Sequence, residues 1–158
     1  MVYLCKEARR ITILEAAARI ARREGLAATT VRRVAQEAGA ATGQVHHHFA
    51  SAGELRAQAY TQVMKILKDQ LQEKSLTLTA REQLSMLLVD PQDDESLIAI
   101  PLWHEAMLMT EQEPLMKAAF ALSVADWHEL VSEAIKLGRQ KGEFVEGESP
   151  EHISWRLI

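Results

Sequence analysis

The run ILEAAARIARREGLAATTVRRVAQEAGAATGQVHHHFASAGEL, residues 13–55, decides how this chain reads. Ile13, Ala17, Ile20 and Ala21 recur at i, i+4, i+7 and i+8, the single apolar stripe of a helix, and Leu14 widens it. This first helix reads from about Arg10 to Glu24. Gly25 ends it as the residue that tolerates a left-handed backbone, and Leu26 stands where the hydrophobic contact of such a cap belongs. Thr29 and Thr30 offer an N-cap for a short second helix, in which Val31, Val34, Ala35 and Ala38 keep helical spacing until Gly39 breaks it. A third short helix runs from about Thr42 to Phe49, with Ala41, Val45 and Phe49 on one side. Two short helices across a glycine turn, braced by a longer one, make a helix-turn-helix, whose second short helix enters the DNA major groove.

On that third helix Gly43, Gln44, His46 and His47 point outward, with Thr42 and His48 on the flanks. A groove-reading surface needs side chains that are small, polar and able to donate hydrogen bonds. Gln44 suits a bidentate bond to an adenine edge, worth about 1–3 kcal/mol of discrimination. Thr30 and the free amides at the start of the second helix suit a phosphate. Arg9, Arg10, Arg32 and Arg33 are candidates for phosphate contacts that release counterions.

Charge is distributed to match. Residues 1–60 hold nine Lys/Arg against five Asp/Glu, giving +4, and residues 61–158 hold nine against seventeen, giving −8. A basic end facing a polyanion and an acidic body facing solvent fit this asymmetry. Ala, Leu, Glu, Arg, Gln and Met dominate and β-branched runs are scarce, so an all-α fold is expected. With one cysteine, Cys5, no intramolecular disulfide forms, and a reducing compartment is expected. The sequence has neither the apolar core of a signal peptide after its charged start nor about 18 consecutive apolar residues for a membrane span. The expected location is the cytoplasm.

Downstream, Ser51-Ala-Gly-Glu54 has the form of a capping box and opens a long fourth helix to about Glu73. Thr79-Ala-Arg-Glu82 repeats the signature for a fifth helix, closed near Asp90-Pro91. A sixth, from about Asp94 to Thr110, is apolar nearly all round and is expected to lie centrally, with Pro101 kinking or dividing it. Pro114 opens a seventh helix to Lys141, capped by Gly142, and Ser149-Pro150 opens an eighth. The pattern stops at Ile158 within an apolar helical stretch, which reads as a shortened chain. The domains expected are 1–50, which binds DNA, and 51–158, an incomplete helical body for ligand binding and dimerisation.

The run 13–55 resembles the DNA-binding domain of the tetracycline-repressor (TetR) family. The resemblance rests on Ile13-Leu14, Ala16-Ala17, Gly25, Thr29-Thr30-Val31, Val34-Ala35, Ala38-Gly39, Gly43, His48-Phe49, Ser51, Glu54 and Leu55, in the family's order and without a gap. It implies a homodimeric repressor on a palindromic operator, released by a small-molecule effector. It also implies DNA contacts from Thr30, Gly43, Gln44, His46, His47 and His48, to which the reading of the residues themselves adds Arg32 and Thr42. Three positions depart from the pattern: Ala41 replaces a capping Ser, His46 a phosphate-reaching Tyr, and Ala52 a Lys with the same task.

Within the body, Trp103, His104, Met107 and Trp127, with Phe120 and His128, are candidates to line an effector pocket, although Trp and Met at helical spacing also build cores. Glu105 and His104 are the polar groups that stand out on an apolar helix. No metal site is expected from His46-His47-His48, because successive helical side chains point about 100° apart and do not converge on one ion. No cofactor is expected, and no enzyme: the chain has no phosphate loop, no zinc-protease pair and no nucleophile elbow. The alternative of a different class is a helical ligand-binding or protein-interaction module that has lost strong DNA binding through the three departures.

Overall fold

The computed structural model describes residues 6–88 and 94–157, and among these it contains helices and no strand. The helices are α1 (Lys6–Glu24), α2 (Val31–Glu37), α3 (Thr42–His48), α4 (Ala52–Ser75), α5 (Ala80–Leu88), α6 (Asp94–Met109), α7 (Pro114–Gln140) and α8 (Pro150–Leu157). The all-α expectation holds, with helix ends mostly within a residue or two of those read from the sequence. The first helix is the exception, starting four residues earlier, at Lys6 rather than Arg10. Cys5, the closure near Asp90-Pro91 and Ile158 lie outside the described residues.

The chain divides into two compact units. The first comprises residues up to Lys65 together with Ile98–Phe120. Here the apolar stripe of α1 is buried as spaced: Ile13, Ala16, Ala17, Ile20 and Ala21 are all shielded from solvent. Helices α1, α2 and α3 pack on one another, contributing Val34 and Ala35 from α2 and Val45 from α3 to the buried set. Leu26, Phe49, Leu55, Tyr60 and Val63 are buried too, each large apolar side chain stabilising the fold by about 1.5–3 kcal/mol. Gly25, Gly39 and Gly142 take positive φ, the conformation that ends a helix without strain only when no Cβ is present.

The second unit comprises Ile66–Leu97 and Ala121–Ile158. Its core joins Leu71, Leu87, Val131, Ala134 and Ile135, with Trp127, Leu130 and Ile153 packed against them. Two hydroxyls, Ser132 and Ser154, meet at 2.9 Å in the interior between α7 and α8, so neither buried group is left unpaired. The α5 start carries a full capping box, Thr79 and Glu82 each bonding the other's backbone amide. Glu143 adds its carboxylate to the amides of Ala80 and Arg81, the first buried and the second open to solvent.

Of the expectations for α6, division at Pro101 and an enclosed, central placement are overturned. A single helix runs through Pro101, and it is not divided there. Pro101 has no amide to offer the Leu97 carbonyl one turn earlier, and Leu97 is itself exposed. Nor is α6 enclosed: Leu97, Ile100, Met107 and Leu108 are exposed, while Leu102 and Ala106 are buried. An apolar surface on every side carries no directional signal, so composition said that α6 can be buried without saying which face is.

Candidate nucleic-acid interface

The N-cap of α2 is Thr30, with extended backbone (φ −95°, ψ 153°) and a hydroxyl that accepts the Arg33 amide at 3.2 Å. The preceding Thr29 is fully buried and donates its hydroxyl to the Gly25 carbonyl at 3.0 Å, which stitches the turn between α1 and α2. After α2 the chain reverses at Gly39 (φ +59°), and Ala40 donates to the Ala35 carbonyl at 2.9 Å. Helix α3 then begins at Ala41, which has no side-chain oxygen to offer. Gln44 supplies the other half of a capping box, its Oε1 accepting the Ala41 amide at 3.3 Å.

Inward, Val45 and Phe49 anchor α3, and the Arg10 guanidinium lies 5.0 Å above the Phe49 ring. Outward, Thr42, Gly43, Gln44, His46 and His47 are exposed together on α3, with Thr30 and Arg32 exposed on and beside α2. A Cβ at Gly43 would meet nothing within 4 Å, so no neighbour in the chain requires glycine there. His48 is only half exposed. Its Nδ1 is buried without a hydrogen-bond partner, and its ring meets that of His47 edge-on at 5.2 Å. Burial first, then the nearby His47, Lys6 and Arg10, hold the His48 imidazole below its ordinary pKa, Glu7 pulling weakly the other way.

The four arginines named as phosphate candidates have different fates. Arg32 is exposed and Arg9 is half exposed. Arg10 donates to Gln58 Oε1 at 2.5 Å besides covering Phe49. Arg33 bonds Glu24 at 2.6 Å and Glu37 at 3.2 Å, and Arg23 and Arg19 join it on Glu37. The hydrogen bond from Arg33 holds the Glu24 carboxyl below the usual range and raises the guanidinium in turn. For Glu37, burial pushes its pKa up, but the three arginines outweigh it.

The effector candidates fall in both units. Trp103 is half-buried against Phe120, ring centroids 5.0 Å apart, and His104 and Met107 are exposed, all in the first unit. Trp127 packs on the core of the second unit, where His128 meets the exposed Trp155 ring at 4.3 Å. That unit contains a groove of about 500 Å³, lined by Leu71, Leu76, Met86 and Leu137 and rimmed by Glu133 and Lys136. A second, of about 410 Å³, runs past Leu84, Phe144 and Ile153 to Arg139. None of Trp103, His104, Met107 and Trp127 lines either one. Glu105 turns out to bond backbone amides of residues 26 and 27. Its one sequence signal was isolation, as the sole acid between Glu95 and Glu111. Among the described residues no group of three or more His, Cys, Asp or Glu is arranged to hold a metal ion, and no helix is long and apolar enough to cross a membrane.

Residues 13–59 match the family described as "Bacterial regulatory proteins, tetR family". The HTH-type transcriptional regulator PksA of Bacillus subtilis is 28% identical over 100 residues, which cover 61% of this chain and 49% of PksA. The matched part thus spans about half the length of that relative. Among solved structures, a TetR-family transcriptional regulator from Cytophaga hutchinsonii superposes with a TM-score of 0.80 at 20% identity, covering 99% of this chain and 82% of that one. The transcriptional regulator FadR from Bacillus subtilis, solved in complex with stearoyl-CoA, gives 0.64 at 19% identity, covering 93% and 80%. Residues 13–59 are thus similar to the tetR family of bacterial regulatory proteins, and the chain as a whole shares its fold with the solved regulator from Cytophaga hutchinsonii.

Proposed function

We propose that this chain is a cytoplasmic, DNA-binding transcription regulator: a homodimeric repressor that holds a palindromic operator and is released by a small-molecule effector. The observation that carries the reading is the outward face of α3. Thr42, Gly43, Gln44, His46 and His47 stand exposed together, while Val45 and Phe49 fasten the helix from behind. In this reading residues 1–50 are the DNA-binding domain and 51–158 the ligand-binding and dimerisation body. Gln44 reads a base edge, and the small Gly43 lets the helix approach the duplex closely. Thr30, Arg32, Thr42, His46, His47 and the exposed edge of His48 contact phosphates or sugars, fixing register without carrying sequence information.

Release requires an effector that prefers the state whose recognition helices do not match the groove repeat of about 34–36 Å, since equal affinity for both states shifts nothing. Trp103, His104, Met107 and Trp127 remain the proposed contacts for it. Support for an effector of some kind comes from FadR, a structural relative solved with a bound acyl-CoA.

The test is selection of duplexes from a random pool by the full chain at two salt concentrations. A recovered palindrome whose affinity falls steeply with salt supports the repressor reading. If a folded, dimeric protein recovers nothing, the departures at Ala41, His46 and Ala52 have removed DNA binding, and the helical body carries the function alone.

A further inference from the structure

Glu105 stands on α6, yet its carboxylate serves the turn between α1 and α2. One oxygen, Oε2, accepts the amides of Leu26 at 2.7 Å and Ala27 at 3.2 Å. The other, Oε1, lies 2.6 Å from where a Cβ on residue 25 would stand. Gly25 is therefore required twice, by its φ of +89° and by the carboxylate packed against it. Consecutive amides that follow a left-handed residue form a concave donor pair suited to an anion, and here the chain supplies the anion itself. A carboxylate beside the carbonyl end of α1 meets an unfavourable helix dipole, but two charge-assisted hydrogen bonds outweigh that screened interaction.

The turn held this way leads straight into the helix-turn-helix. Thr29 donates its amide to the Leu26 carbonyl at 3.0 Å and its buried hydroxyl to Gly25, and the next residue, Thr30, is the N-cap of α2. A second clasp lies in the same unit, where Arg56 of α4 grips both carboxylate oxygens of Glu113. Leu26 and Ala27 are thus the points at which α6 takes hold of the chain entering α2.

We propose that Glu105 is a positioning residue for DNA binding: by filling the amide pair at 26 and 27 it sets the entry angle of α2, and with it the stance of α3. The inference rests on the DNA-binding reading given above. The test uses the full chain with Glu105→Ala and Glu105→Gln, the second keeping the shape and a neutral acceptor if the first folds poorly. Amide exchange is measured at Leu26 and Ala27, and affinity for a duplex selected with the unmodified protein. Losing charge-assisted bonds that are partly open to solvent speeds exchange at Leu26 about tenfold and weakens DNA binding about tenfold in Glu105→Ala. Glu105→Gln falls between, and the amides of Val34 and Val45 keep their protection. A merely structural role leaves DNA affinity unchanged once the protein is folded.

Gly25→Ala supplies a test that needs no DNA. In the unmodified background the new methyl meets both the carboxylate and an unfavourable φ; with Glu105→Ala only the φ remains. The effect of Gly25→Ala on exchange at Leu26 is therefore larger when Glu105 is present. Equal effects in the two backgrounds, or DNA binding by both Glu105 variants at the unmodified affinity, overturn the inference and leave the repressor reading standing. Failure of the unmodified protein to bind any duplex overturns that reading instead, and the inference with it.

Discussion

Gln44 carries two tasks that a pair of substitutions separates. In the free protein its Oε1 accepts the Ala41 amide at 3.3 Å, the half of a capping box that needs no side-chain oxygen at position 41. That is long against the usual separation of about 2.9–3.0 Å, and both groups are exposed, so the bond belongs at the weak end of capping interactions, about 0.5 kcal/mol. For a chain of this size about 2–4 °C accompanies each kcal/mol, so Gln44→Ala lowers Tm by about 1–2 °C. On DNA the same carboxamide is free to make a bidentate bond to adenine, accepting with its oxygen and donating with its nitrogen. Gln44→Ala then forfeits about 1–3 kcal/mol of preference at one base pair, a factor of about 5–150. Gln44→Glu behaves oppositely in the two assays. Its carboxylate still accepts the Ala41 amide and adds favourable charge at a helix N-terminus, worth about 0.3–1 kcal/mol. It has no donor for adenine and repels phosphates, so DNA binding is lost while Tm holds or rises. Thermal melts and affinities against every single-base variant of the selected duplex measure both effects. If Gln44→Ala weakens all sequences alike, Gln44 is not a base reader; if Gln44→Glu lowers Tm, it is not the cap.

Neighbouring arginines on α2 should part company. Arg32→Ala weakens binding to all duplexes and flattens the slope of log affinity against log salt by about 0.9, whereas Arg33→Ala, which breaks the pairs with Glu24 and Glu37, lowers the urea midpoint; titrations and melts that reverse these roles refute the assignment. His48 makes stability depend on pH. Its pKa is lowered on folding, so the stability it brings is fully present above the ordinary imidazole value of about 6.5 and is lost as pH falls from there through the lower folded value. Urea midpoints at pH 7.5 and 5.5 should differ less in His48→Gln, and an unchanged difference removes His48 as the cause. Phe49→Ala empties a fully enclosed site beneath Arg10 and costs about 3–5 kcal/mol, against a milder loss for Phe49→Leu; a denaturation curve showing less than about 1 kcal/mol for the alanine would mean α3 does not depend on this anchor.

Much of the architecture was legible because the signals are local. Apolar spacing in α1 and α2, glycines at 25, 39 and 142, the Ser51 cap and the capping box at Thr79 act through residues three to eight apart, and the backbone obeys them wherever those residues are; at Ser51 only half of the expected box forms, Glu54 turning to the Ala50 amide instead. The candidate interface was legible to the same depth: the spacing of Val45 and Phe49 turned residues 42–44, 46 and 47 outward. What tertiary structure alone decided was the partner of each polar group. Arg32 and Arg33 are adjacent and chemically identical, yet a rotation of about 100° per residue turns one to solvent and the other onto the acids of α1 and α2. Glu105 looked like a pocket group because its helix is apolar, but its amide partners lie 79 and 78 residues away in the chain. The outer faces of α6 stayed exposed for a related reason, since an all-round apolar helix encodes no direction. Periodicity is a property of one helix, whereas an anchor such as the Glu105 carboxylate on the turn before α2 exists only after distant segments have packed.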